Sequence, residues 1–82
     1  MKLVYFAWVR EQVGQAEEDV DLPADVSTIG DLLAWLATRG DNYAVFENAG
    51  SLRAAINQEH VTHAEPIRDA REIAIFPPMT GG

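Results

Sequence analysis

Thr28-Ile29-Gly30-Asp31-Leu32-Leu33-Ala34-Trp35-Leu36, TIGDLLAWL in one-letter code, is the stretch on which the reading of the fold turns. A threonine followed three residues later by an aspartate marks a helix start, because the hydroxyl oxygen takes a free backbone amide and the acid sits at the positive helix end. Beyond it Ile29, Leu32, Leu33 and Leu36 fall at i, i+3, i+4 and i+7, an apolar stripe suited to lying across a sheet, with Trp35 at its edge. The spacing predicts a helix to Arg39, with Gly40 available for the left-handed position that follows it.

On the N-terminal side, Lys2-Leu3-Val4-Tyr5-Phe6-Ala7-Trp8-Val9 is rich in β-branched and aromatic residues and is closed by Arg10-Glu11, which predicts a first strand. Period two places Leu3, Tyr5, Ala7 and Val9 on one face and Lys2, Val4, Phe6 and Trp8 on the other. Both faces are largely apolar, yet 82 residues are too few to cover both, so one face is left for a partner. A turn around Val13-Gly14-Gln15 leads into a weakly alternating second strand from Ala16 to Leu22, with Val20 and Leu22 inward, and Pro23-Ala24-Asp25 ends it.

On the C-terminal side, residues 41–50 are polar with Tyr43, Val45 and Phe46 as anchors, which predicts a loop or a short helix. Leu52, Ala54 and Ile56 then alternate with Arg53, Ala55 and Asn57 in a third strand, and a brief extended piece follows at His60-Val61-Thr62. After a turn within residues 66–71, Glu72 to Phe76 reads as the last strand, Ile73 and Ile75 inward, Ala74 and Phe76 outward. Pro77 donates no backbone hydrogen bond, so pairing stops there. Strand, strand, helix, strand, strand, with one main helix to cover one face of a mixed sheet, is an α+β roll of the β-grasp kind. The expected organisation is one folded domain over residues 1–76 and a flexible tail over 77–82.

Composition narrows the function. With 48% hydrophobic and 23% charged residues the chain reads as an ordinary soluble protein, and its longest apolar run, Leu3 to Val9, is far short of the ~20 residues needed to cross a bilayer. A cytoplasmic location and no membrane partner are expected. Cysteine is absent, which excludes disulfides, thiolate metal sites and a cysteine nucleophile in this chain. The net charge of −7, with Glu17, Glu18, Asp19 and Asp21 clustered, repels phosphate backbones, so no nucleic-acid partner is expected. His60 and His63 stand three apart with Glu59 and Glu65 beside them, but the segment reads as turn and strand rather than a helix presenting two ligands on one face, so no metal site is assigned.

The last seven residues, Phe76-Pro77-Pro78-Met79-Thr80-Gly81-Gly82, form a chemical object of their own. A terminal carboxylate on Gly82 is inert as an acyl donor until it is activated. Attack on the α-phosphate of ATP gives an acyl-adenylate, whose carbonyl sulfide, a thiol or an amine can then take. Gly81 and Gly82 present no Cβ to a narrow passage, the two prolines favour an extended conformation, and six residues from Pro77 span about 20 Å when stretched. That reach is enough to enter another protein's active site.

The chain resembles the small, sulfur-carrying subunits of molybdopterin synthase, a ubiquitin-like family. The resemblance spans the whole length: LVYFAWVRE at the first strand, TIGDLLAWL at the helix start, AAINQEHV at the third strand and turn, and PIRDAREIAIFPPMTGG at the closing strand and tail. It implies that an adenylating, E1-like enzyme consumes ATP to activate Gly82, and that a sulfur donor protein converts it to a thiocarboxylate. The tail then delivers sulfur to a cyclic pterin precursor inside the large subunit, in a heterotetramer of two small and two large subunits. The chain itself would hold no stable cofactor and do no catalysis. The family's partner-facing positions map onto Phe6, Phe76 and Arg10, together with His60 and the tail residues Pro77, Pro78, Met79 and Thr80. His60 stands where an apolar residue is common, Ala70 replaces a customary turn glycine, and Trp8 is more apolar than the pattern. Two related readings share the Gly-Gly end: a sulfur carrier for thiamine synthesis, and a protein modifier joined through Gly82 to a lysine.

Overall fold

The structure, a computed structural model, describes residues 1–78. Five strands, β1 (Lys2–Tyr5), β2 (Glu17–Asp19), β3 (Arg53–Ile56), β4 (Glu59–Val61) and β5 (Glu72–Phe76), form one mixed sheet in the order β2-β1-β5-β3-β4. The first and last strands lie side by side and parallel in the middle of the sheet, and every other pairing is antiparallel. This is the expected β-grasp: a helix carries the chain over one face so that the C-terminal strand can dock beside the N-terminal one. Both edge strands are only three residues long, which leaves little backbone open to pairing with another chain.

The TIGDLLAWL stretch behaves as its pattern requires. The helix α2 spans Ile29–Leu36, and its four stripe residues, Ile29, Leu32, Leu33 and Leu36, are all fully buried. Thr28 closes a reciprocal capping box: its Oγ1 accepts from the Asp31 amide at 3.1 Å, while Asp31 Oδ2 accepts from the Thr28 amide at 3.2 Å. Gly30 has a steric reason to be glycine, because its amide donates to the His63 carbonyl at 2.8 Å and a Cβ would lie 3.3 Å from that oxygen. The stripe packs on the inward sheet residues Leu3, Tyr5, Ala54, Ile73 and Ile75. Each fully buried leucine contributes roughly 1.5–3 kcal/mol relative to exposure.

Three expectations need correction. The first strand ends at Tyr5 rather than Val9: Ala7 takes φ +53°, which breaks the extended chain, and Ala7–Val13 forms a second helix, α1. Its Val9 and Val13, four residues apart, are buried, and Gly14 caps it at φ +92°. Phe6 is therefore the residue before a helix, not a strand residue, and Trp8 lies on α1. The second strand is shorter than Ala16–Leu22, since only Glu17–Asp19 pairs with β1, although Val20 is buried as expected. The main helix stops at Leu36 with Ala37 as its cap, before Arg39. Gly40 instead precedes a 3-10 segment, Asp41–Ser51, interrupted at Asn48, which buries the anchors Tyr43, Val45 and Phe46. The turn before β5, where Ala70 replaces a customary glycine, has its positive φ at Arg68, +38°.

β3 and β4 are joined by Asn57 and Gln58, both at positive φ, the geometry of a two-residue hairpin turn. Asn57 Oδ1 also accepts from the amides of Arg71 and Glu72 at 2.9 and 3.0 Å, tying this hairpin to the start of β5. With α1, α2 and the 3-10 segment all contributing to one core, the helices occupy one face of the sheet.

Candidate functional site: an uncovered sheet face at the root of the tail

Alternation along the strands turns Val4, Ala55, Ala74, Phe76 and His60 to the face opposite α2. Register lines them up across the sheet: Val4 sits opposite Ala74, Ala74 opposite Ala55, and Ala55 opposite His60. At the end where the tail leaves, Arg53 stands opposite Phe76. The Phe6 amide donates to the Ile75 carbonyl at 3.2 Å, continuing the parallel register one step past β1 and placing Phe6 next to Phe76. The result is a shallow apolar strip between two parallel strand ends.

Phe6 is 48% exposed and Trp8 is 40% exposed, the two large hydrophobic side chains left open to solvent among the described residues. The ring of His60 tilts over that of Phe76 with centroids 5.2 Å apart. Arg10 lies one turn into α1, its amide directed at the Phe6 carbonyl at 3.3 Å, so Phe6 and Arg10 share a corner. Pro77 and Pro78 continue from β5 half-exposed. Met79, Thr80, Gly81 and Gly82 lie outside the described residues. Of the anticipated partner-facing positions, the structure thus brings together Phe6, Arg10, His60, Phe76, Pro77 and Pro78.

The structure gives the two histidines different partners. His63 Nε2 contacts the Leu52 carbonyl at 2.9 Å on the inward side, whereas His60 faces outward, and no cluster of three metal-binding side chains occurs among the described residues. A shallow groove lined by Met1, Leu22, Val26 and Ile67 lies at the start of β1, away from Phe6 and Phe76.

Sequence reading missed one polar cluster. Glu18 Oε2 accepts from the Tyr5 phenol at 2.7 Å and from the Tyr43 phenol at 2.9 Å, and Glu18 Oε1 accepts from Arg39 at 3.0 Å. Arg39 also stacks on the rings of Tyr43 and Trp35, 4.8 and 5.2 Å from their centroids. Burial works against the charged Glu18, but the three hydrogen bonds and the guanidinium outweigh it and hold its carboxyl below the usual range. Burial, then the Glu18 contact, pushes both phenols up. The cluster pins β2 to the helical layer. Its signal was present in the alternation of Glu17, Glu18 and Asp19, which puts Glu18 alone on the inward face.

A mixed β-grasp sheet with an apolar face at the root of a Gly-Gly tail defines the class of ubiquitin-like carrier and modifier proteins. The model of the ThiS family matches residues 3–82. The chain is 39% identical to the molybdopterin synthase sulfur carrier subunit of Escherichia coli K12, over all of this chain and 99% of that one. It is 34% identical to the protein of the same name from Haemophilus influenzae, with the same coverage. Among solved structures it is similar to a putative molybdopterin converting factor subunit 1 from Pyrococcus furiosus, at 25% identity and a TM-score of 0.74 over 95% of both chains. It is also similar to small archaeal modifier protein 1 of H. volcanii, at 25% identity and a TM-score of 0.73 over 96% of this chain and 97% of that one. The protein belongs to the ThiS family of ubiquitin-like proteins, and its relatives there include molybdopterin synthase sulfur carrier subunits.

Proposed function

We propose that this protein is the sulfur carrier of molybdenum cofactor biosynthesis, the small, non-catalytic subunit of a molybdopterin synthase. The observation that carries the reading is the uncovered Phe6–Phe76 strip at the point where β5 runs into the Pro77-Pro78 tail. A docking face and a tail in one place let the partner that covers the first receive the second. Full-length similarity to two bacterial sulfur carrier subunits supports the same role.

The chemistry proposed for Gly82 runs in two stages. An adenylating partner brings the carboxylate against the α-phosphate of ATP; pyrophosphate leaves and an acyl-adenylate remains. Sulfide (HS−) released from a sulfur donor then adds to the carbonyl, the acyl–phosphate bond breaks with AMP as leaving group and a proton is lost, giving a thiocarboxylate. Sulfur there is more nucleophilic at neutral pH than the oxygen it replaces, and the tail presents it to the pterin precursor in the large subunit. Gly81 and Gly82 let the backbone pass a constriction that a side chain would block. Residues 77–82 act as the tail and residues 1–76 as the domain that docks. Likeness to an archaeal modifier protein raises a second reading, in which an amine takes the activated Gly82 carbonyl.

Intact-mass analysis after incubation with the adenylating enzyme, ATP and a sulfur source decides between them. The carrier reading expects one oxygen of the C-terminus exchanged for sulfur, followed by pterin sulfuration when the large subunit is added. Adducts on lysine side chains of other proteins, without sulfur exchange, would replace it with the modifier reading.

A further inference from the structure

The uncovered face is polarised in charge along its strands. Where β1 and β5 begin, the Lys2 ammonium lies 3.8 Å from Glu17 and 4.0 Å from Glu72, and Asp19 sits opposite Lys2 in strand register, so acids outnumber the cation at this end of the face. Where β5 ends, the same face carries Arg53 directly opposite Phe76, and His60 with its ring on Phe76. Arg53 and His60 are diagonal neighbours through Ala55. Of the six basic side chains in a chain of net charge −7, Lys2 and Arg39 are engaged by acids, while Arg10, Arg53, Arg68 and Arg71 are exposed and form no ion pair among the described residues; of these four, Arg53 is the one in cross-strand register with Phe76. An arginine left without an internal acid beside the aromatic ring at the tail's root is placed to meet a carboxylate on whatever covers that ring. Its planar fork suits bidentate pairing.

We propose that Arg53 pairs with a carboxylate of the large-subunit surface that covers Phe6 and Phe76, while the acidic end around Glu17, Asp19 and Glu72 faces a cation on the same surface. The inference rests on the docking reading above and deepens it. The apolar strip supplies the area. The opposed charges fix which way round the domain sits, and so where Pro77 aims the tail. Charge arrangement of this kind contributes orientation and specificity more than bulk affinity.

The test is calorimetric titration of the purified large subunit of the same organism with the wild-type chain and with Arg53→Glu, Arg53→Gln and Phe76→Ala. Arg53→Glu is expected to weaken binding by about tenfold or more and Arg53→Gln by less. A reciprocal acid-to-arginine change on the large subunit should restore Arg53→Glu. Wild-type thermal melts of both Arg53 variants, expected because this side chain is exposed, keep the loss from being one of folding. Binding of both Arg53 variants within about twofold of wild type, with Phe76→Ala still impaired, would leave docking in place and overturn the pairing. Wild-type binding by Phe76→Ala as well would remove the docking reading together with the inference.

Discussion

The Tyr5 phenol donates a 2.7 Å hydrogen bond to the Glu18 carboxylate from the inward side of the sheet, joining β1 to the only residue of β2 that turns toward the core. With Tyr43 and Arg39 on the same carboxylate, an edge strand of three residues is anchored to the helical layer. The folded protein holds Glu18 below its ordinary pKa of 4.5. The stabilisation is therefore fully present above that value and is lost as pH falls through the lower, folded one. Urea denaturation from pH 7 downward should show stability declining below about pH 4.5, with Glu18→Gln flattening that acid limb. At neutral pH the substitution should cost about 1–3 kcal/mol, since a mostly buried charged acceptor of three donors is replaced by a neutral one.

Truncating the exposed ring should separate docking from folding. Phe6→Ala is expected to leave the melting temperature close to wild type and to lower affinity for the large subunit by roughly 1–2 kcal/mol or more, read by calorimetry. The side chain is nearly half exposed, so little is lost on folding. Leu33→Ala should do the reverse. It empties a fully buried position and costs about 2–5 kcal/mol of stability.

The helix start is testable by itself. Thr28→Ala removes the Oγ1 acceptor for the Asp31 amide and should destabilise the fold by about 1 kcal/mol, whereas Thr28→Ser should retain most of it. Chemical denaturation of the two variants side by side checks this.

Ala7 and Gly14 bracket α1 with left-handed backbone at both ends. Gly14→Ala places a Cβ in open space but at φ +92°, so its cost, about 1 kcal/mol, comes from the backbone alone. Ala7→Gly should be neutral to mildly stabilising at φ +53°, and Ala7→Val clearly destabilising, because a β-branched residue resists that conformation. Melting temperatures of the three proteins give the order.

Deletion of Gly82 should abolish acquisition of sulfur while the circular dichroism spectrum and melt stay those of the full chain, because terminal residues contribute little burial. Mass spectrometry after the activation reaction reads the first outcome. Retained sulfur loading in the shortened chain would contradict the role proposed for that residue.

Local patterns were enough for much of this architecture. The capping box and stripe of TIGDLLAWL identified α2, and the alternation of Glu72 to Phe76 located β5 and its two faces, because both signals are set by helix and strand periods and by nothing remote. The pairing of Val9 with Val13 at helical spacing, followed by Gly14, was also present, but it was outweighed by a run of β-formers that continues to Val9. What broke that run was the left-handed turn at Ala7, a conformation for which alanine has no local preference.

The candidate site divides in the same way. Amino-acid order by itself determined that Phe76 would face away from the main helix and that strand pairing would stop before Pro77, since alternation and the missing proline amide are properties of the chain. Only the tertiary structure decided that the Phe6 and Phe76 rings lie side by side, that Arg53 joins them across β3 and β5, and that Tyr5, Tyr43 and Arg39 converge on the Glu18 carboxylate. The reason is that pairing between segments 13 to 70 residues apart is selected by closing one core around α2, and no local preference encodes it.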